Sequence, residues 1–250
     1  MNKEWNKLDN GQINWLEFSK LKNIPFVSFG LVVKNCKGKS FAIEVCWKDK
    51  FKRFLRKQIG YAGGIVVPRQ VHQNNVASIT KSEKFNLRKK LQADALLTNQ
   101  KGLFLTIQVA DCIPIYIVDT KKKVVGLVHA GWRGTLMQIA KDVVGEARRS
   151  FNCSPEDLKI IFGPAIEKCC YEVKPEVAIL FPPPFVNYEG DKRPKLDLAG
   201  FNRAQLIESG VKKKNISLAG ECTFCGPKFL CSYRRGRNKK ERMLAFIGIK

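Results

Sequence analysis

Histidine is almost absent from this chain: two of its 250 residues, His72 and His129, carry an imidazole. That scarcity excludes multicopper oxidase chemistry, which needs a cluster of further imidazole ligands. Long apolar runs are missing too. No stretch approaches the roughly 18 consecutive apolar residues of a membrane-spanning helix, so no membrane association is expected. The first residues, MNKEWNKLDNGQINWLEF, hold no apolar segment followed by small residues. A secretory leader is therefore not expected, and the cytoplasm is the expected compartment. Acidic residues are few, 22 against 45 Lys+Arg, giving a formal charge of +23. No aromatic-studded RNA-binding strand or zinc-finger spacing accompanies this charge, whose concentrations lie at Lys121–Lys123, Lys212–Lys214 and Arg234–Arg242. Lysine-rich solvated faces are the expected explanation, and nucleic acid is not an expected partner. The charge can still draw anions such as phosphate towards the protein.

Internal repeats, low-complexity linkers and composition breaks are also missing, which points to a single domain over residues 1–250. Cysteine, by contrast, is plentiful at nine residues, an odd number that prevents a fully paired disulfide framework. In a reducing compartment such cysteines are core residues, metal ligands or nucleophiles.

Strands are predicted over Phe26–Val33, Phe41–Cys46, Gly64–Val67, Ala95–Thr98, Leu103–Ala110, Ile113–Val118 and Val124–His129. The last runs are nearly all apolar, as strands buried on both faces should be. After Gly134, apolar residues at Leu136, Ile139, Ala140, Val143, Val144 and Ala147 form the i, i+3, i+4, i+7 stripe of an amphipathic helix. A second helix is expected from Pro175 until the Phe181-Pro-Pro-Pro184 run stops it, and a third over Leu198–Ser209. Strands and helices mix without strict βαβ alternation, which favours an α+β fold with a mixed sheet and helices outside.

Each histidine is expected at a strand end before turn-forming residues, and Cys112 follows the buried run ending in Ala110 and Asp111 in the same way. Two imidazoles and one thiolate suit zinc, and three protein ligands leave a fourth position open, as a catalytic site requires. Isolated histidines and cysteines are more often ordinary core residues, and the chain has no short-range ligand pair. The neighbouring segment His129-Ala-Gly-Trp-Arg-Gly134 strengthens the metal reading. A glycine-bearing turn entering a helix offers free N–H groups to an anion, and Arg133 adds a guanidinium suited to phosphate.

These segments carry a family resemblance. Gln70-Val-His72, Asp94-Ala-Leu-Leu-Thr98, Ala110-Asp-Cys-Ile-Pro114 and His129–Gly134 resemble the YfiH-type family, labelled laccase-domain or polyphenol oxidase and described as purine nucleoside phosphorylase. Gly163-Pro-Ala-Ile166, Cys169-Cys-Tyr-Glu-Val173, Leu196-Asp-Leu198, Cys222-Thr223 and Ser232-Tyr-Arg-Arg235 follow in the same order. The resemblance spans about residues 64–250, and the basic tail Gly236–Arg242 departs from it. It implies a four-layer α/β/β/α sandwich with mixed sheets and zinc on His72, Cys112 and His129. It also implies phosphorolysis of adenosine, inosine and methylthioadenosine to base and sugar 1-phosphate, with adenosine deamination alongside.

The residues leave other readings open. The usual zinc deaminase signature joins His-x-Glu to Pro-Cys-x-x-Cys, whereas here Cys222-x-x-Cys225 follows Glu221 and no His-x-Glu exists. Deamination would need a different acid/base, for which Asp111 is the candidate, although Asp111 could equally orient a ligand. Cys169-Cys170 and Cys222-x-x-Cys225, with Cys231 nearby, could form a second metal site. One CxxC element beside an adjacent pair is weaker than two such elements, so free cysteines are expected. The rival functions are a hydrolase with Cys112 as nucleophile and a basic nucleic-acid-binding protein. Arg234 and Arg235 are candidate anion contacts, with surface arginines the plainer expectation.

Overall fold

Successive side chains of a strand point to opposite faces, and the apolar runs of this chain fill both. The computed structural model describes residues 5–9, 13–33, 47–59, 63–80, 91–236 and 241–250, so the strand expected over residues 41–46 lies outside them. One six-stranded sheet contains β1 (Trp5–Asp9), β2 (Asn14–Phe18), β3 (Val27–Val33), β14 (Met243–Ile249), β7 (Leu103–Val109) and β4 (Gly64–Val66), in that order. A second runs β13 (Ile216–Leu218), β10 (Leu158–Phe162), β8 (Ile113–Asp119), β9 (Val124–Ala130), β6 (Ala95–Thr98) and β5 (Val76–Ile79). Both are mixed: β4 pairs parallel with β7 and β5 with β6, while β8–β9 and β3–β14–β7 are antiparallel. A small hairpin-like pair, β11 (Val186–Asn187) and β12 (Lys195–Leu196), lies apart.

The sheets lie face to face. Leu31, Leu105, Ile107, Ala245 and Ile247 of the first share a core with Leu96, Tyr116, Val118, Val125, Leu127 and Ile161 of the second. On the outer face of the first sheet, Trp15, Phe104, Leu244 and Phe246 pack against Phe51, Phe54 and Leu55 of α2 (Trp47–Ile59), the helix that follows the four-residue α1 (Ser19–Lys22). On the outer face of the second, Ile113, Ile115, Ile117, Val124 and Val128 meet α4 (Ile139–Phe151) and α6 (Leu198–Glu208). The order is therefore helix, sheet, sheet, helix, the α/β/β/α sandwich that the resemblance implies. It explains why every residue of β8 and β9 is buried although their ladder is antiparallel. Each sheet has a partner on both faces.

The helix expected as one element after Gly134 is two: α3 (Trp132–Leu136) and α4, separated at Gln138, whose φ is 65°. The buried stripe Ile139, Ala140, Val143, Val144 and Ala147 belongs to α4 alone, while Leu136 is half-buried on α3. The break leaves α3 as a separate element directly after the strand-end turn of β9. Pro175 opens α5 (Pro175–Ala178), a single turn. The last helix, α7 (Tyr233–Gly236), is equally short.

Candidate active site

The antiparallel register of β8 and β9 brings two of the candidate ligands together. Ile113 pairs with Ala130 and Pro114 with His129, so Cys112, just before β8, faces the turn just after β9. Gly131 occupies that turn because a Cβ there would lie 3.1 Å from the Cys112 sulfur. His129 itself is 3% exposed at the end of β9.

His72 arrives from the other sheet. It does not stand at the expected strand end: β4 stops at Val66 and His72 sits further on, in a bend with φ 58°. Asp94, fully buried just ahead of β6, holds that bend. Its Oδ1 accepts from the His72 N–H at 3.0 Å, and its Oδ2 accepts from Val71 and Gln73 at 3.0 and 3.1 Å. The same carboxylate takes a 2.8 Å hydrogen bond from His129 Nδ1, and the Asp94 carbonyl accepts the His129 N–H at 2.7 Å. One acidic side chain thus sets both histidines. With Nδ1–H given to Asp94, Nε2 of His129 is the nitrogen left for a metal or a proton.

The result is a compact donor set. Nitrogen and sulfur atoms of His72, Cys112 and His129 lie within 4.8 Å of one another, and the two imidazole rings meet edge to face at 4.8 Å. Burial pulls the His72 pKa down, helped by His129 and opposed by Asp94. Burial also opposes charge on His129, but Cys112 and Asp94 outweigh it and push the group up to about 9. Burial likewise opposes charge on Asp94, yet hydrogen bonds from His129, Gln73 and Val71 hold its carboxyl below the usual value. Two imidazoles and a thiolate at these separations could hold a borderline divalent metal ion.

The triad lines a cavity of about 640 Å³, within the range that encloses small-molecule ligands. Arg133, Arg234 and Arg242 place guanidinium groups in its wall, and Trp132, Tyr171 and Leu198 add apolar surface. The Arg133 guanidinium lies 4.2 Å from the Trp132 ring centre. Arg234 stacks 5.3 Å from Tyr171 and donates to the Glu172 carbonyl at 2.7 Å. Burial, with Cys112 and Asp111 nearby, raises the pKa of Tyr171. Gly134 lets α3 close over the His72 bend, since a Cβ there would lie 2.8 Å from the Gln73 carbonyl oxygen.

Asp111 reaches the cavity wall in the left-handed region, φ 85°. Both its oxygens are engaged: Oδ1 accepts from Thr223 Oγ1 at 2.6 Å and Oδ2 from the Arg234 N–H at 2.8 Å. Arg235 points elsewhere, donating to the carbonyls of Phe224, Gly226 and Leu230. Away from the triad, the sulfurs of Cys169, Cys170, Cys222 and Cys225 also lie within 4.8 Å of one another, and this four-cysteine cluster could bind a metal. Cys231 is not part of it; it is buried in the core between the sheets. Asp94 stands in the sequence as one residue of the Asp94-Ala-Leu-Leu-Thr98 segment. Its one signal there is a carboxylate set directly against the apolar run Ala95-Leu-Leu-Thr98.

Residues 49–250 match the family described as multi-copper polyphenol oxidoreductase laccase. The chain is 33% identical over 192 residues to purine nucleoside phosphorylase YlmD of Bacillus subtilis (strain 168), covering 72% of this chain and 69% of that protein. The crystal structure of YlmD from Geobacillus stearothermophilus superposes with a TM-score of 0.84 at 29% identity, covering 98% of both chains. That of Bacillus licheniformis hypothetical protein YfiH gives 0.83 at 26% identity, covering 98% of this chain and 99% of the other.

Proposed function

The chain belongs to the polyphenol oxidoreductase laccase-domain family, and from that premise we propose that it is a zinc-dependent purine nucleoside phosphorylase of the cytoplasm. Its substrates in this reading are adenosine, inosine and methylthioadenosine, cleaved with phosphate to the free base and the sugar 1-phosphate, with adenosine deamination as a side activity. Multicopper oxidation, which the family's description suggests, does not suit a chain with two histidines. The observation that carries the proposal is the placement of a two-His, one-Cys donor set and three guanidinium groups around one cavity of about 640 Å³.

His72, Cys112 and His129 would hold the zinc, which supplies Lewis acidity when bound. The protein's own groups do the rest. Arg133, with Arg234 and Arg242, binds phosphate and holds it against the sugar. The five-residue α3 is too short to contribute much of a helix dipole, so guanidinium charge carries this role. Trp132 and Tyr171 offer ring surface to the purine. Phosphate oxygen then attacks the anomeric carbon as the bond to the base breaks, the bonding pair leaves with the base, and the base takes its proton from solvent. Asp111, whose oxygens both receive protein hydrogen bonds, is assigned to positioning Cys112 ahead of proton transfer.

One observation favours a second reading. The Cys112 sulfur lies within 4.8 Å of a His129 ring nitrogen, and Asp94 orients His129 from behind, which is the arrangement of a cysteine nucleophile, its base and an orienting acid.

Incubating metal-analysed protein with adenosine, with and without phosphate, decides between them. Adenine that forms only with phosphate and disappears when zinc is stripped supports the phosphorylase. Inosine formed regardless of phosphate favours deamination. Neither product from zinc-loaded protein sinks the nucleoside reading. Arg133→Ala is expected to raise KM for phosphate roughly tenfold or more, the worth of a charge-assisted hydrogen bond, with zinc content unchanged. An unaltered KM for phosphate would remove Arg133 from the site.

A further inference from the structure

We propose that Cys169, Cys170, Cys222 and Cys225 hold a structural zinc ion as four thiolates, and that this ion pins the segment carrying Tyr171 of the cavity wall to the segment carrying Thr223. The first argument is spacing. A zinc ion with Zn–S bonds of about 2.3 Å separates its tetrahedral sulfurs by about 3.8 Å. The sulfurs of Cys169 and Cys225 lie 3.8 Å apart, and all four fall within 4.8 Å of one another. That is too far for a disulfide and too close to surround a multi-iron cluster.

The second argument is the backbone around Cys222. The chain folds back tightly over Cys222-Thr-Phe-Cys225, with the Gly226 N–H donating to the Cys222 carbonyl at 2.9 Å. A side chain at Gly226 is impossible, since its Cβ would lie 2.2 Å from that carbonyl oxygen. The turn aims the N–H groups of Phe224 and Cys225 at the Cys222 sulfur, and Glu167 adds a third at 3.5 Å. Three N–H groups thus orient the Cys222 sulfur, as outer hydrogen bonds orient the ligands of a metal site.

The third argument is setting. Cys153 and Cys231 are buried outside the cluster, whereas Cys169 and Cys225 are exposed beside their half-buried and buried partners. Binding one divalent ion through four thiolates releases the thiol protons to solvent and leaves net negative charge. Arg235 meets that charge from inside the turn, through the Phe224 and Gly226 carbonyls, and Lys168 adjoins Cys169. The bridge between Ala165 and Cys222 and the Glu167 N–H on the Cys222 sulfur already join the two segments, and the ion would tie them again at the cysteines themselves. Its reach extends to the active site, because Thr223 bonds Asp111, the neighbour of Cys112.

The test counts zinc in three reduced, full-length proteins: wild type, Cys169→Ser/Cys225→Ser, and Cys112→Ser/His129→Ala. Wild type is expected to carry about two ions per chain and each double variant about one. In the Cys112→Ser/His129→Ala protein, X-ray absorption at the zinc edge should show sulfur neighbours only, at about 2.3 Å. The same protein loaded with cobalt should give intense tetrahedral thiolate absorption. These two readouts stand even if the cysteine-cluster variant fails to fold. A Cys112→Ser/His129→Ala protein with no zinc overturns the inference and leaves the phosphorylase reading intact. So does a Cys169–Cys225 disulfide under reducing conditions, or iron with sulfide in place of zinc. One sulfur-bound ion in that inactive protein supports the inference whatever becomes of the phosphorylase reading.

Discussion

His129→Ala is expected to lose the zinc of the triad and to lower phosphorolysis of adenosine by roughly a thousandfold or more, the several kcal/mol that a Lewis acid contributes. The argument starts from position. His129 is 3% exposed at the end of β9, and its Nδ1 is committed to Asp94, so its Nε2 can face only Cys112, His72 and the cavity. Removing the ring deletes a ligand and leaves Asp94 facing a void, which no neighbour can fill. Cys112→Ser serves as the independent check. It keeps size and position but exchanges a soft thiolate for a hydroxyl that stays protonated near neutral pH, and the same loss of zinc and turnover is expected. Metal analysis and steady-state kinetics, with circular dichroism to verify folding, read the outcome. Phosphorolysis retained by a folded, triad-free variant would show that the metal takes no part. Activity lost in Cys112→Ser while wild type stays active without metal would favour the cysteine hydrolase.

What the sequence reveals about this molecule depends on how local the cause is. The β8 and β9 runs and the α4 stripe are legible because burial on both faces, or along one stripe, writes itself into neighbouring residues. The break at Gln138 is not, since the stripe's period passes through Leu136 and Ile139 without a glycine or proline to mark it. The candidate triad is conspicuous because the chain holds so few histidines, yet its convergence depends on two distant events. One is the register Pro114↔His129, and the other is the crossing of the chain from β4 in one sheet to β5 in the other. The cysteine cluster shows the same limit more sharply. Cys169-Cys170 and Cys222-x-x-Cys225 read as an incomplete motif, and long-range contacts such as the bridge between Ala165 and Cys222 make them neighbours. Asp94 is the residue that pattern reading undervalued. A lone carboxylate ahead of a strand looks like a boundary, while its partners lie 21 to 35 residues away in either direction.

Asp94→Asn is accordingly expected to weaken zinc binding by about 10–100-fold, the usual effect of removing a carboxylate behind a histidine ligand, and to destabilise the fold. The carboxylate is fully buried and accepts from the N–H groups of Val71, His72 and Gln73 and from Nδ1 of His129. An amide keeps the volume but turns one acceptor into a donor, which must then face N–H groups. Leaving such donors unpaired costs about 1–3 kcal/mol each, so a loss on the order of 2–4 kcal/mol is expected in urea unfolding. The metal effect has a separate cause. If the new NH₂ faces His129, it donates to Nδ1 and moves the ring proton to Nε2, the atom a metal needs. Excess zinc should then restore part of the activity of Asp94→Asn, because the ligands themselves remain, whereas His129→Ala should not respond. Wild-type zinc affinity in a folded Asp94→Asn protein would show that the carboxylate braces the bend at His72 without tuning its ligands.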